Sequence, residues 1–439
     1  MTHWKEYKLG ELCTITSSKR IFYKEYVSEG VPFFRSKEII EKANGNDIST
    51  ELFITKDKYQ EIKDKFGVPL AGDILLTSVG TLGVSYQVQE SDYFYFKDGN
   101  LTWFKDFSDE INTKFLLYWL RSPLGKEGFN SITIGSTQAA LTIAGLKGIK
   151  LSVPDLPTQT SIAEILSSLD DKIELNNKIN QELENLAQTL FKQWFIDFEF
   201  PDENGNPYKS SGGEMVVSEL GEIPKGWEVQ PIGDLFEFVV GGDWGVDEPN
   251  EEHTEMNFVI RGTDISTLKS GSLKSIPYRA IKPSKLKNRQ LQVNDIIIEI
   301  SGGSKEQPTG RTILITKEIL ERLGYNAIPA SFCRLIRPKK DFAEFLGIYL
   351  TKIYYDGKTW EYQNQSTGIS NFQFKFFESN ELLALPADLR IIDEFNILIS
   401  GIYNLMTTNE NQELTNLRDT LLPKLISGEL EVSDVSLSL

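Results

Sequence analysis

The second half of this 439-residue chain replays the first, so whatever unit it builds it must build twice. Trp4 with Leu9-Gly10-Glu11-Leu12 returns 223 positions later as Trp227 with Ile232-Gly233-Asp234-Leu235. Gly72-Asp73-Ile74-Leu75-Leu76 recurs at an offset of 222 as Asn294-Asp295-Ile296-Ile297-Ile298. Leu151-Ser152-Val153-Pro154 matches Leu383-Ala384-Leu385-Pro386 at 232, and Gln181-Glu182-Leu183 matches Gln412-Glu413-Leu414 at 231. The order is kept while the offset drifts slowly, the mark of a tandem duplication with diverged contents.

Each unit has two parts. Residues 1–155 and 218–388 mix short apolar runs, Asp73 to Thr77 and Asp295 to Ile300, with Gly/Ser/Asn-rich turns and a short helix-like stretch, Phe115 to Leu120 or Phe345 to Tyr349. That pattern predicts an α+β module. Residues 156–199 and 389–428 read as helix. From Pro157 to Trp194 there is no Gly and no internal Pro, with Thr158 as the expected N-cap. On a heptad register from Ile162 to Gln193, seven of ten inward sites are apolar: Ile162, Ile165, Leu169, Ile179, Leu183, Leu186 and Leu190. The partner stretch carries Phe395, Leu398, Ile402 and Leu405, a polar centre at Asn409 to Gln412, then Leu414, Leu417 and Leu421, with Gly428 as the stop. Matching polar centres suit either direction of pairing. Connectivity favours antiparallel, because the chain leaves module one on the first helix and must return on the second. The expected fold is therefore α+β: two globular modules in tandem, separated by two long antiparallel helices forming a coiled-coil-like spacer. A helix of about 39 residues spans roughly 58 Å, more than one turn of B-DNA. Residues 200–217, rich in Gly, Pro, Ser and Asn, read as a linker with little core, and 429–439 as a tail.

A net charge of −17 argues at first against a polyanionic partner. Its distribution weakens the objection, since residues 156–217 and 389–439 carry −12 of it and leave the two modules nearly neutral. Arg279, Lys282, Lys285, Lys287 and Arg289 then read either as a basic face or as a solvated loop. No apolar run is long enough to span a bilayer, and no secretory leader pattern stands at Met1, so a soluble cytoplasmic protein without membrane contact is expected. Two cysteines, Cys13 and Cys333, and two histidines, His3 and His253, cannot supply a Cys/His metal site, so no metal is expected.

No phosphate loop, dinucleotide fingerprint, zinc-protease or nucleophile-elbow motif is present. Asn206-Pro207-Tyr208 lacks the second proline of an adenine-methyltransferase loop, and Asp295 with Glu299 reads as strand edge rather than a nuclease pair. No catalytic residue is expected. What remains are polar loops beside apolar strands in both modules. In the first these are Arg35-Ser36-Lys37, Thr77-Ser78 through Thr81, and Ser136-Thr137-Gln138 after Gly135. In the second they are Arg261-Gly262-Thr263, Ser301 through Ser304-Lys305, and Gln365-Ser366-Thr367 before Gly368. Arg donates twice to a guanine edge and Gln twice to adenine, while Ser, Thr and backbone amides suit phosphate. These residues are the candidate DNA contacts.

The chain resembles the specificity subunit of type I restriction-modification systems over essentially its whole length. The resemblance rests on Trp4-Lys5-Glu6-Tyr7-Lys8-Leu9-Gly10-Glu11, Gly72-Asp73-Ile74-Leu75, Gly135-Ser136-Thr137-Gln138 and Leu190-Phe191-Lys192-Gln193-Trp194-Phe195. It rests equally on Gly221-Glu222-Ile223-Pro224-Lys225-Gly226-Trp227 and the run Leu421-Leu422-Pro423-Lys424-Leu425-Ile426-Ser427-Gly428-Glu429-Leu430. It departs at Gln365-Ser366-Thr367-Gly368, which reverses the order of the first repeat's Gly135-Ser136-Thr137-Gln138. The resemblance implies two target-recognition domains, 1–155 and 218–388, joined by a central helix (156–199) and a C-terminal helix (389–428), each domain reading one part of a bipartite, asymmetric site in double-stranded DNA. It also implies docking of two methyltransferase subunits and then of restriction subunits. S-adenosylmethionine, ATP and Mg would belong to those partners, with no cofactor on this chain. Glu182 and Glu184, on the acidic helix, are the expected docking residues. A competing reading is a scaffold whose paired helices hold two protein-binding modules without DNA.

Overall fold

The structure, a computed structural model, describes residues 4–45, 48, 50–135, 139–303, 307–366, 369–406 and 410–435. The chain divides into two compact units, Met1–Glu174 with Leu414–Leu439, and Leu175–Glu413.

In the first unit the strands are β1 (Lys5–Lys8), β2 (Thr14–Thr16), β3 (Val31–Phe34), β4 (Phe53–Ile54), β5 (Ile74–Thr77), β6 (Ser85–Gln87), β7 (Tyr95–Phe96), β8 (Leu101–Lys105) and β9 (Lys150–Val153). A four-stranded sheet runs β2-β8-β5-β6, a smaller one β4-β3-β7, and β1 pairs with β9. The run Ile74-Leu75-Leu76 is buried on both faces because it is the inner strand β5, with Leu75 opposite Trp103. The helix Thr113–Arg121 puts Phe115, Leu116, Trp119 and Leu120 into the same core.

The second unit repeats that plan after a short hairpin of β10 (Met215–Ser218) and β11 (Gly221–Pro224). Its strands are β12 (Trp227–Pro231), β13 (Phe236–Gly241), β14 (Glu255–Ile260), β15 (Tyr278–Ile281), β16 (Ile296–Glu299), β17 (Ser301–Gly303), β18 (Thr312–Leu314), β19 (Ala327–Pro329), β20 (Cys333–Pro338), β21 (Gln363–Ser366), β22 (Ile369–Phe372) and β23 (Leu382–Pro386). The sheet β13-β20-β16-β18 answers β2-β8-β5-β6, β15-β14-β19 answers β4-β3-β7, and β12-β23 answers β1-β9. Even the mixed pairing is kept, since β3 with β7 and β14 with β19 are both parallel. The sheet β17-β22-β21 is present only in the second unit among the described residues.

The helix Leu156–Phe195 runs without a break for 40 residues and contributes to both units. Its cap is Asp155, not Thr158: the Asp155 carboxylate accepts from Thr158 N–H at 3.0 Å, and a carboxylate suits the positive helix end. The returning stretch is helical over Arg390–Met406 and over Glu410–Ser427. Pairing is antiparallel within each unit. Asp170 meets Arg418 at 2.7 Å in the first, and in the second Asn176 meets Asn411 at 2.8 Å while Phe191 packs on Phe395. The polar centres thus hydrogen-bond to each other, as their matching positions predict. The heptad register needs correction. The buried face is Ile162, Leu166, Leu169, Asn176, Ala187, Phe191 and Trp194, and Ile179 and Leu186 are about half exposed. From Asn176 to Ala187 the stripe advances by eleven residues, which swings the inward face one position along. Gly428 does end the returning helix, with φ of 76°, and a Cβ there would stand 2.9 Å from the Trp4 ring. The 200–217 stretch is less open than its composition suggests. Phe198, just before it, and Phe200, at its head, are buried on Trp227, and Phe200 also stacks on Tyr208.

Candidate nucleic-acid interface

The sheet order decides where the polar loops go. In the first unit β2 and β5 are both antiparallel to β8, so they leave the sheet at the rim where β8 begins. The parallel strands β3 and β7 end at the same place. Lys97 N–H donates to Phe34 O (2.8 Å), Ser78 N–H to Asn100 O (2.8 Å), Leu141 N–H to Ser78 O (2.9 Å) and Gly99 N–H to Ser17 Oγ (3.3 Å). One rim therefore gathers the loops beginning at Ser17, Arg35, Ser78 and Lys97, with Leu141 beside them. The second unit builds the same rim. Gly242 N–H donates to Cys333 O (3.0 Å), Ala330 N–H to Ile260 O (2.8 Å), Ile300 N–H to Phe332 O (2.9 Å) and Phe372 N–H to Ile300 O (2.9 Å).

Arg35 and Arg261 stand at equivalent points, directly after β3 and β14, and both are held by a carboxylate three residues on. Glu38 is fully buried and takes Arg35 Nη2 at 2.7 Å and Arg35 N–H at 2.7 Å. Asp264, also buried, takes Arg261 Nε at 2.8 Å, Nη2 at 2.7 Å and the backbone N–H at 2.9 Å. Each pair raises its guanidinium's pKa through the hydrogen bond to the carboxylate, outweighing the opposing effect of burial. Burial alone would raise the Glu38 carboxyl, but hydrogen bonds from Arg35 more than offset it and hold it below the usual range. With Nε and Nη2 committed, the fork is fixed and Nη1 of each arginine has no hydrogen-bond partner among the described residues. That is a preorganised donor, the arrangement suited to a base edge or phosphate.

Several expected contacts are placed otherwise. Thr77 and Ser78 are buried and structural: Thr77 Oγ1 accepts from Val84 N–H at 3.0 Å, and the Ser78 and Thr102 hydroxyls meet at 2.6 Å. Both faces of β5 are covered, so these successive hydroxyls are buried whichever way each points, which composition does not reveal. Ser36 Oγ is buried with no hydrogen-bond partner among the described residues. Lys37, Thr81 and Thr263 are exposed, and Ser301 is half-buried in β17. Gln365 and Ser366 lie in β21, which reaches the rim through β22 and β17. Ser136, Thr137, Gln138, Ser304, Lys305 and Thr367 fall outside the described residues. The rims also hold groups that sequence reasoning passed over, Lys19, Arg20 and Lys97 in the first unit and Asp243 and Trp244 in the second. Only the parallel pairing of β3 with β7 brings Lys97 beside Arg35, and nothing local announces it.

The family model for the type I restriction modification DNA specificity domain matches residues 1–185 and again 224–416, once on each repeat. The chain belongs to this family. Among curated relatives, the MjaIX specificity subunit of a type I restriction enzyme from Methanocaldococcus jannaschii is 29% identical over 336 residues, 74% of this chain and 71% of its own. The HindI specificity subunit from Haemophilus influenzae is 24% identical over 98% of this chain and 100% of its own. The crystal structure of a type I restriction-modification S subunit from M. genitalium shares the fold, with a TM-score of 0.51 at 14% identity, covering 97% of this chain and 96% of that one.

In this family member the two carboxylates expected to dock a partner differ sharply. Glu184 is buried and paired with Lys269 of its own unit, so it is unavailable. Glu182 is exposed, on the helix face that also carries the exposed Leu175, Ile179 and Leu186. Among the described residues no group of three His, Cys, Asp or Glu side chains is placed to hold a metal, and no helix is long and apolar enough to cross a membrane. Asp295 and Glu299 are engaged by Arg337 and Arg311 as structural pairs.

Proposed function

We propose that this chain is the DNA-reading subunit of a type I restriction-modification complex in the cytoplasm, each unit reading one part of a bipartite asymmetric site in double-stranded DNA. The observation that carries the reading is the pair of equivalent rims, each with an arginine locked by a carboxylate after the same strand. The scaffold is repeated while the rim side chains differ, as reading two different half-sites requires. The chain itself supplies no chemistry in this reading. Two methyltransferase subunits, and then restriction subunits, would bring S-adenosylmethionine, ATP and Mg.

Docking of the methyltransferase subunits is assigned to the stripe Leu175, Ile179, Glu182 and Leu186, an apolar face at helical spacing with one carboxylate in it. The test is co-expression with the methyltransferase subunits of the same source, binding to a randomised duplex library, and sequencing of the bound DNA. Two short fixed blocks with a constant unspecified spacer are expected, and Ile179→Glu should lose the co-purified subunit. A stable complex that enriches no sequence would favour the scaffold instead.

A further inference from the structure

The connection from β13 to β14, residues 242–254, carries five carboxylates, Asp243, Asp247, Glu248, Glu251 and Glu252, and no Lys or Arg. It runs along β15, where Val246 bridges Ala280, and its acids reach the basic cluster noted in the sequence. Asp247 pairs with Arg279, Glu252 with Lys282, and Asp243 with Lys285 at 4.0 Å. The strap is anchored from Trp244 to Asp247: the Arg279 guanidinium lies 4.5 Å from the Trp244 ring centroid and donates from Nε to Trp244 O at 2.6 Å. The pairs at its two ends are partly solvent-exposed, with Glu252 70% and Lys282 37% accessible in one and Lys285 46% and Asp243 26% in the other. The topologically equivalent connection in the first unit, residues 17–30, carries Lys19, Arg20 and Lys24 against Glu25 and Glu29.

We propose that Lys282 and Lys285 form a phosphate-backbone contact surface for duplex DNA, and that the acidic strap occupies it in the DNA-free chain and yields to the phosphates. The inference rests on the DNA-reading function above. Exposed ion pairs are weakly held, so they are readily exchanged. A duplex presents one phosphate charge about every 1.7 Å, a denser line of anions than the strap. The strap therefore lowers affinity for any duplex and leaves the base-reading groups to decide where the unit settles.

The experiment measures the affinity of the full-length chain for a mixed-sequence duplex across a salt series. Lys282→Gln with Lys285→Gln should weaken binding and make the log–log salt slope shallower by about two. Asp243→Asn with Glu252→Gln should tighten binding, by roughly fivefold. Asparagine keeps the oxygen that accepts from Gly245 N–H, and a gain of affinity cannot come from misfolding. Glu248→Gln with Glu251→Gln removes the same charge from exposed strap residues that have no basic partner among the described residues, and should change affinity by less than half as much. Equal effects of the two acidic pairs, or an unchanged slope in the lysine variant, overturn the proposal while leaving DNA reading intact. A wild-type chain whose binding does not depend on salt overturns DNA reading itself.

Discussion

The two units share a scaffold to the level of register, yet the equivalent connections β2–β3 and β13–β14 differ in charge, weakly basic in one and strongly acidic in the other. In the first, the connection after β2 carries three basic and two acidic residues, with Tyr23 exposed midway; in the second, the connection after β13 carries five acids and folds back onto its own lysines. Strand order, the parallel pair and the locked arginine are common to both. The scaffold is set by buried apolar runs, which a duplication copies whole, whereas the rim is made of side chains that no core constrains. Reading two different half-sites needs this division, and each unit can be perturbed separately to test it.

The largest contrast is expected inside the sheets. Asp73 and Asp295 occupy the same place before β5 and β16, and both take a backbone N–H three residues back, from Leu70 and Gln292. Asp295 is further held by Arg337, at 2.8 and 2.9 Å, while Asp73 takes Trp103 Nε1 at 2.8 Å and the residue equivalent to Arg337 is Lys105. Arg337→Met strands a buried carboxylate and should destabilise the second unit by about 3 kcal/mol. Lys105→Met should cost the first less than about 1 kcal/mol. Native-state thiol labelling separates the two. Cys13 and Cys333 are buried, one per unit, and desolvation pushes both thiols up to about 12, so they react only on opening. Cys333 should label roughly a hundredfold faster in Arg337→Met, with Cys13 unchanged. Equal acceleration of both thiols would show that the units do not open independently.

The next contrast is in recognition. Lysine at position 35 or 261 keeps a cation on the buried carboxylate but loses the second edge of the fork. Arg35→Lys should relax one base position, by roughly tenfold, in one block of the enriched DNA, and Arg261→Lys one in the other block. If either change relaxed both blocks, or neither, the assignment of one block to each unit would fail.

Much of this architecture is legible in the chain because duplication writes each element twice. Gly428 marks a helix end, and the apolar runs at 74 and 296 mark elements of an α+β module that the sheets place as inner strands. The helix register was not legible, and the reason lies in particular residues. Ile165 precedes Leu166, Leu186 precedes Ala187 and Leu190 precedes Phe191, so two adjacent stripes are apolar. The inward one is chosen by what it packs against, Ile426 in one unit and Phe395 in the other. The burial of Thr77, Ser78 and Glu184 was hidden likewise. A hydroxyl or carboxylate reads as surface until its partner, Thr102 or Lys269, is brought from elsewhere in the chain. The arginines are legible because each opens a polar loop directly after an apolar run, whereas their carboxylate partners, Glu38 and Asp264, emerge only in the structure.

The smallest contrast is between two carboxylates of one unit and concerns pH. Arg35 holds the Glu38 carboxyl below its ordinary range, so its folded pKa lies below the unfolded one. Stability from this pair is therefore complete above the unfolded value, near 4.3, and is lost as pH falls through the folded value. Asp73 is shifted the other way, since burial raises it despite the bonds from Leu70 and Trp103. Its contribution is greatest below the ordinary aspartate range and declines as pH rises through the folded value. Glu38→Gln should thus lower the stability of the first unit at pH 7, by about 1–2 kcal/mol, with the gap to wild type closing below about pH 4. Asp73→Asn should show a gap that moves in the opposite direction over the same range. Denaturant titrations of both variants between pH 3 and about 7, followed through Cys13 exposure, would decide it. A Glu38→Gln gap that stayed constant with pH would mean that Arg35 is not held by charge, and the fixed fork at the first rim would lose its physical basis.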